Sequence, residues 1–302
     1  MRPAGYTAII DMFGLDVIPH WHRSFVADSS QRRTEITESA VEEIYPNVYW
    51  PGNRWDRHLE FALRYDGMNL AILAAFFEKV REEDLVVYVR SKPTSKYARR
   101  IWFLYEFSTG KSLALDDVRQ GNYIDLLDPR EYYTAPARPS RRHRVNDNLT
   151  GNSQFCPLIR RTQALRDFER ADLAGKTRRI VSAYPVALLR RALSYLYTKE
   201  TKSSFEIEHI TPTSNRVERF VAMLQLAEQQ DFCTKAQLIA LQNRIVDPRF
   251  ADDGYRLSQN YVGETIAWQR ERIHFVAPKP DDLPGLMEGM EDAHKRMTKG
   301  NI

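Results

Sequence analysis

Two cysteines, Cys156 and Cys233, are all that the 302 residues contain. So sparse a supply excludes a disulfide framework and offers no zinc-ligand spacing, so both thiols are expected to be packed and inert in a reducing compartment. Long apolar runs are missing too. The longest, Leu70 to Phe77, is too short to cross a bilayer, and the first residues have neither a continuous apolar core nor a small-residue cleavage site; a cytoplasmic protein away from membranes is expected. Several signatures of chemistry also fall short. Gly110-Lys111-Ser112 and Gly175-Lys176-Thr177 end like a P-loop, but Tyr105 and Arg170 occupy the place of the first glycine. Gly151-Asn152-Ser153-Gln154-Phe155 opens like a nucleophile elbow and puts Phe155 where its second glycine belongs. His20 and His22 flank Trp21 without further clustered ligands, so they read as packing and hydrogen-bonding groups, and no metal ligand is assigned.

What is present is an ordinary globular balance, 43% hydrophobic and 28% charged, in a chain long enough for two domains. The net charge of +4 permits an acidic partner without requiring one. Its basic residues cluster locally, at Arg138, Arg141, Arg142, His143 and Arg144 and again at Lys176, Arg178 and Arg179. Such runs usually form solvated faces, and no nucleic-acid motif accompanies them, so a basic nucleic-acid-binding module ranks last.

Apolar spacing predicts helices over most of the chain. A short one is expected near Thr37 to Ile44. Trp55, Leu59 and Ala62 mark another, which Asp66-Gly67 ends; Leu70, Leu73, Phe77 and Val80 mark the next. Leu85 to Val89 is read as helix behind its three acidic residues, and Thr94 as the cap of a helix ending at Gly110. Residues 1–121 are therefore expected to be a helical N-terminal domain and 122–162 an irregular, Pro- and Arg-rich strap. In 163–302, Leu189, Leu193 and Leu196 form a stripe; Asn215 and Thr234 cap further helices, the latter ended by Asp247-Pro248. The fold class expected is mainly α, a helical bundle with one β-hairpin.

Two stretches carry function. In Ser204-Phe205-Glu206-Ile207-Glu208 the serine and the last glutamate stand one helical turn apart, and a carboxylate so held can pair with an arginine or occupy an anion's place. By itself the pattern is more often a cap and a solvated charge. The second stretch is the hairpin expected from Tyr261-Val262-Gly263 and Arg272 to Val276, whose open edge could accept an extended peptide or merely cover core.

Together with Gly254-Tyr255-Arg256 and the hairpin exit Phe275 to Met287, these stretches resemble the Fic family of protein adenylyltransferases in content and order. The resemblance implies a helical core with a β-hairpin flap and transfer of AMP from ATP, with Mg²⁺, to a hydroxyl of a target protein. It implies that Ser204 and Glu208 belong to an inhibitory helix, Glu208 pairing with a catalytic arginine to displace the ATP γ-phosphate. Tyr261, Val262, Gly263, Ile273 and Phe275 would form the flap that aligns the target. Two departures stand out: His209 follows the glutamate where the family usually has Gly or Asn, and none of the seven histidines precedes the Pro-Phe of the catalytic signature. No catalytic residue is therefore assigned. These residues are expected to be the regulatory and target-aligning portion of an adenylyltransferase, inactive alone and not itself binding ATP and Mg²⁺. The alternative is a non-enzymatic regulator acting in trans on a full-length Fic protein. Expected partners are a target protein, a second copy or such a Fic protein.

Overall fold

The computed structural model describes residues 1–37, 40–207, 233–246, 251–267 and 270–300. They divide into two compact units, Met1–Pro129 with Thr134–Leu149, and Arg130–Tyr133 with Thr150–Ile302. The described residues are 46% helical with 17% strand in three sheets, an α/β arrangement, and the expectation of a mainly α bundle with a helical N-terminal domain is overturned.

The first unit is built on a sheet that the helical reading missed. Strands β1 (Arg2–Ala4), β2 (His22–Ala27), β3 (Arg33–Ile36) and β4 (Val41–Pro46) lie in the order β1-β2-β4-β3. The central pair, β2 and β4, is parallel, with Phe25 opposite Ile44; the outer strands are antiparallel to their neighbours. Of the helix expected near Thr37 to Ile44, the residues from Val41 to Ile44 instead belong to β4. What hid the strand is Glu43, a buried glutamate that breaks the apolar pattern because Arg32 and Thr34 hold its carboxylate.

Helix α1 (Gly5–Phe13) packs on β2, on α2 (Trp55–Phe61) and on α3 (Leu70–Lys79). Ala4, Val26, Tyr45 and Phe61 form the core between sheet and helices, with Trp50 and Tyr65 packed against them. Helix α2 runs into a π-helical turn, Ala62–Asp66, which ends at Gly67 with φ 91. The expected helix around Leu85 to Val89 is α4 (Glu82–Ser91); α5 (Lys96–Thr109) follows, capped by Ser95 rather than Thr94 and ended by left-handed Gly110. Within the stretch read as a strap lie β5 (Ile124–Asp125), β6 (Arg138–Ser140) and β7 (Val145–Asp147), a small sheet of the first unit in the order β5-β7-β6.

In the second unit α6 (Gln163–Arg170) is capped by Thr162 and α7 (Leu173–Ser182) by Asp172, whose carboxylate accepts from Gly175 N. Gly175-Lys176-Thr177 is thus the first part of a capped helix, as Gly110 is the end of one, and neither is a phosphate loop. Helix α8 (Val186–Ile207) is followed, among the described residues, by α9 (Lys235–Ile245), with Thr234 accepting from Gln237 N. Strands β8 (Tyr261–Ala267) and β9 (Arg270–Val276) and helix α10 (Leu283–Lys299) complete the unit. The loop Gly151 to Cys156 folds on itself through Asn152, whose side chain accepts from Gln154 N and Phe155 N and donates to Asp292 of α10 at 2.9 Å. It sits over Gly289, where a Cβ would meet Phe155 Cβ at 2.7 Å. The Ser153 stretch is therefore a docking loop for a helix. Among the described residues no helix is long and apolar enough to cross a membrane.

Candidate functional site

The hairpin forms as the residue pattern predicts and is exposed on both faces. Val262 pairs with Phe275 and Gly263 with Ile273, so one residue of β9, His274, has no opposite number and the ladder is bulged there. Gly263 meets that bulge: a Cβ would lie 2.8 Å from Arg272 O and 3.4 Å from the Tyr261 ring. Only a glycine lets the bulged strand approach so closely. Paired residues of antiparallel strands share a face, which separates the side chains into two sets. On one lie Tyr261, Thr265, Glu271, Ile273 and Val276, where Tyr261 Oη donates to Glu271 at 2.5 Å, a bond that raises the phenol above its ordinary value. On the other, Val262 and Phe275 adjoin a charged group in which Glu264 meets Arg272 at 3.3 Å and His274 at 3.4 Å.

Apolar side chains thus gather at the base of the hairpin, with the charged group beyond them and half-exposed Ile266 nearer the turn. Tyr261, Val262, Ile273 and Phe275 are each about half exposed, at 49, 61, 53 and 57%. Among the described residues β8 and β9 pair only with each other, so each presents an outer edge whose N–H and C=O groups point away from its partner. Such an edge, flanked by apolar and charged side chains, can take an extended peptide as a third strand.

Of the pair expected in an inhibitory helix, Ser204 lies in the last turn of α8. Glu208, His209, the Asn215 cap and the Asp247-Pro248 stop lie outside the described residues. The basic run at 138–144 has a structural role in its central members. Arg142 donates to Glu106 and to the carbonyls of Leu113 and Leu115, while Arg144 donates to the carbonyls of Val118, Arg119 and Gly121. His143 is buried with its Nε2 3.1 Å from Glu106 Oε2. These side chains clamp the 113–121 loop onto α5, and their donors are spent within the protein rather than held out to phosphates.

His20 is likewise held by hydrogen bonds, and His22 sits buried between two carboxylates. His20 contacts Asp66 O at 3.1 Å and Asn69 Nδ2 at 2.9 Å; His22 lies between Glu43 at 3.6 Å and Asp66 at 3.8 Å. Among the described residues no group of three or more His, Cys, Asp or Glu is placed to hold a metal ion. The centre of this network, Asp66, was missed in the sequence, where Asp66-Gly67 read only as the end of a helix. Cys156 and Cys233 are each partly buried and stand outside any disulfide.

Comparison with protein-family models, with curated proteins and with solved structures finds no match for this chain.

Proposed function

We propose that this chain is the regulatory and target-aligning portion of a cytoplasmic Fic-type adenylyltransferase, with the β8–β9 hairpin as the flap that aligns a segment of the target protein. The observation that carries the reading is the hairpin itself: two open edges, half-exposed Tyr261, Val262, Ile273 and Phe275, and a place in the sequence beyond the Ser204 to Glu208 stretch. In this reading Glu208 restrains AMP transfer by pairing with a catalytic arginine. The residues in hand do not fit the Mg²⁺–ATP group that such transfer uses. The sequence carries no His-Pro-Phe signature with its glycine-rich loop, and the described residues contain no metal-ligating cluster. No chemical step is therefore assigned to them.

The test is to read the source DNA downstream of the Ile302 codon and express whatever continues into the signature. AMP incorporation from labelled ATP should then rise in Glu208→Gly. No gain on that substitution, or no signature downstream, overturns the reading in cis. The lack of Pro-Phe after any histidine favours one other assignment, inhibition in trans. Mixed with a Fic enzyme stripped of its own inhibitory glutamate, the chain would then suppress AMP transfer, and its Glu208→Gly form would not.

A further inference from the structure

The 3₁₀ turn Asn47–Tyr49, helix α2, the π-helical turn and the start of α5 enclose a cleft of about 380 Å³ in the first unit. Its aromatic wall is fixed from behind. Tyr65 packs on Phe61 with ring centres 4.6 Å apart and on Tyr45 at 5.3 Å, and Tyr49 stands nearly perpendicular to it, at 5.9 Å and 78°. Tyr97 lines the same cleft from α5.

Arg57 and Arg64 come from one continuous helical segment. Gly67 N bonds to Ala62 O, five residues back, so the turn carries one residue more than an α-helical turn, a local widening often found at functional sites. That turn carries both Arg64 and Tyr65, with the Arg64 guanidinium 5.0 Å over the Tyr65 ring. Lys96 lies 4.9 Å over Tyr97. Arg57 is exposed and has no ion-pair partner among the described residues. The lining carboxylate, Glu60, is already engaged by Lys92 at 2.6 Å and Tyr88 at 2.9 Å, so it does not neutralise the arginines.

We propose that this cleft binds a nucleotide, its base stacked on the Tyr49, Tyr65 and Tyr97 rings and its phosphate held by Arg57 and Arg64. Aromatic faces alone would suit many apolar ligands, and arginines alone would suit any anion. Their meeting in a cleft the size of one small ligand selects a molecule with a flat ring and a phosphate on the same frame. The nucleotide is either free or part of a single strand. Arg57 also lines a second cleft, of about 500 Å³, beside Trp55, which gives a strand a path from one to the next around that side chain; Arg54 and Lys92 at its edge are already paired with Asp56 and Glu60. The assignment rests on the first unit alone and is independent of the adenylyltransferase reading.

The test is titration of the full chain with AMP, with a short oligoadenylate and with inorganic phosphate, followed by calorimetry at low and moderate salt. AMP or the oligoadenylate should bind saturably. The double variant R57A/R64A should weaken that binding about tenfold or more, and Tyr97→Ala by about five- to a hundredfold, with Tyr97→Phe close to the parent. Similar affinities for AMP and the oligoadenylate identify a free nucleotide as the ligand; tighter oligoadenylate binding with a steep salt dependence identifies a strand, and both outcomes support the site. Circular dichroism checks that each variant folds. The proposal is overturned if neither nucleotide form binds, if inorganic phosphate binds as tightly as AMP, or if folded variants bind like the parent.

Discussion

Asp66 accepts from Tyr6 N at 3.0 Å and from Ser24 Oγ at 2.5 Å, and it is 1% exposed. Through the first contact it supplies the acceptor that Ala4, the residue at the cap position of α1, does not. A carboxylate there also meets the positive end of the helix. Gly5 makes the approach feasible: it has φ +59, and a Cβ would sit 2.0 Å from Asp66 Oδ2. Asp66→Ala should cost about 3 kcal/mol or more, because two buried donors lose this acceptor together. Gly5→Ala should cost about 1–3 kcal/mol through strain alone. Urea unfolding midpoints measure both, and a parent-like midpoint for either variant would refute the coupling. Glu106 plays the corresponding part in the loop clamp. Burial acts to raise its pKa, but hydrogen bonds from Arg142 and Trp102 and from Leu113 N outweigh it and hold the carboxyl below its usual value. Glu106→Ala should therefore destabilise the first unit by about 2–3 kcal/mol. Amide exchange in the 113–121 loop should rise in that variant; unchanged protection would refute the clamp.

At the scale of elements, helices were legible where one face is apolar and a cap or glycine marks the end. Leu70 to Lys79 behind Asn69 and Lys96 to Thr109 before Gly110 are of this kind. The strands of the first unit were not, for two physical reasons. Glu43 faces inward on β4 because Arg32 neutralises it and Thr34 donates a hydrogen bond to it, and those partners are eleven and nine residues away, outside any local pattern. The strands β5, β6 and β7 have only two or three residues each, too few for alternation to register. The hairpin was legible because β-branched and aromatic residues fill both its strands within one short window, but its bulge was not. Gly263→Val should disrupt the ladder at Arg272 while leaving α9 and α10 folded. Amide exchange should then accelerate across 261–276 and not along α10. Retained protection in the hairpin would show that the close approach at Gly263 is dispensable.

The first unit as a whole keeps two histidines neutral in its interior. His58 is fully buried and its Nε2 lies 2.7 Å from Gly52 O; burial lowers its pKa below the ordinary 6.5, partly offset by that hydrogen bond. His143 is lowered by burial first, with Arg142 adding to the effect and Glu106 opposing it. The unfolded chain therefore takes up protons near pH 6.5 that the folded unit refuses, so stability is complete above that pH and falls as the pH drops toward the lowered folded values. The slope reaches at most about 1.4 kcal/mol per pH unit for each histidine. Glu43 and Glu106, both held below 4.5 in the folded unit, add a second loss beginning near that pH. None of this could be read from the sequence, where His58 is one residue within an amphipathic helix and His143 one member of a basic run; their burial depends on Gly52 and on Ser140 and Glu106, which the fold brings to them. Urea midpoints measured between pH 7.5 and 5 should fall steadily below 6.5. His143→Gln should flatten that dependence in part while His58 remains. A flat profile for the parent, or one that His143→Gln leaves as steep, would mean that the two rings take up their protons without opposing the fold.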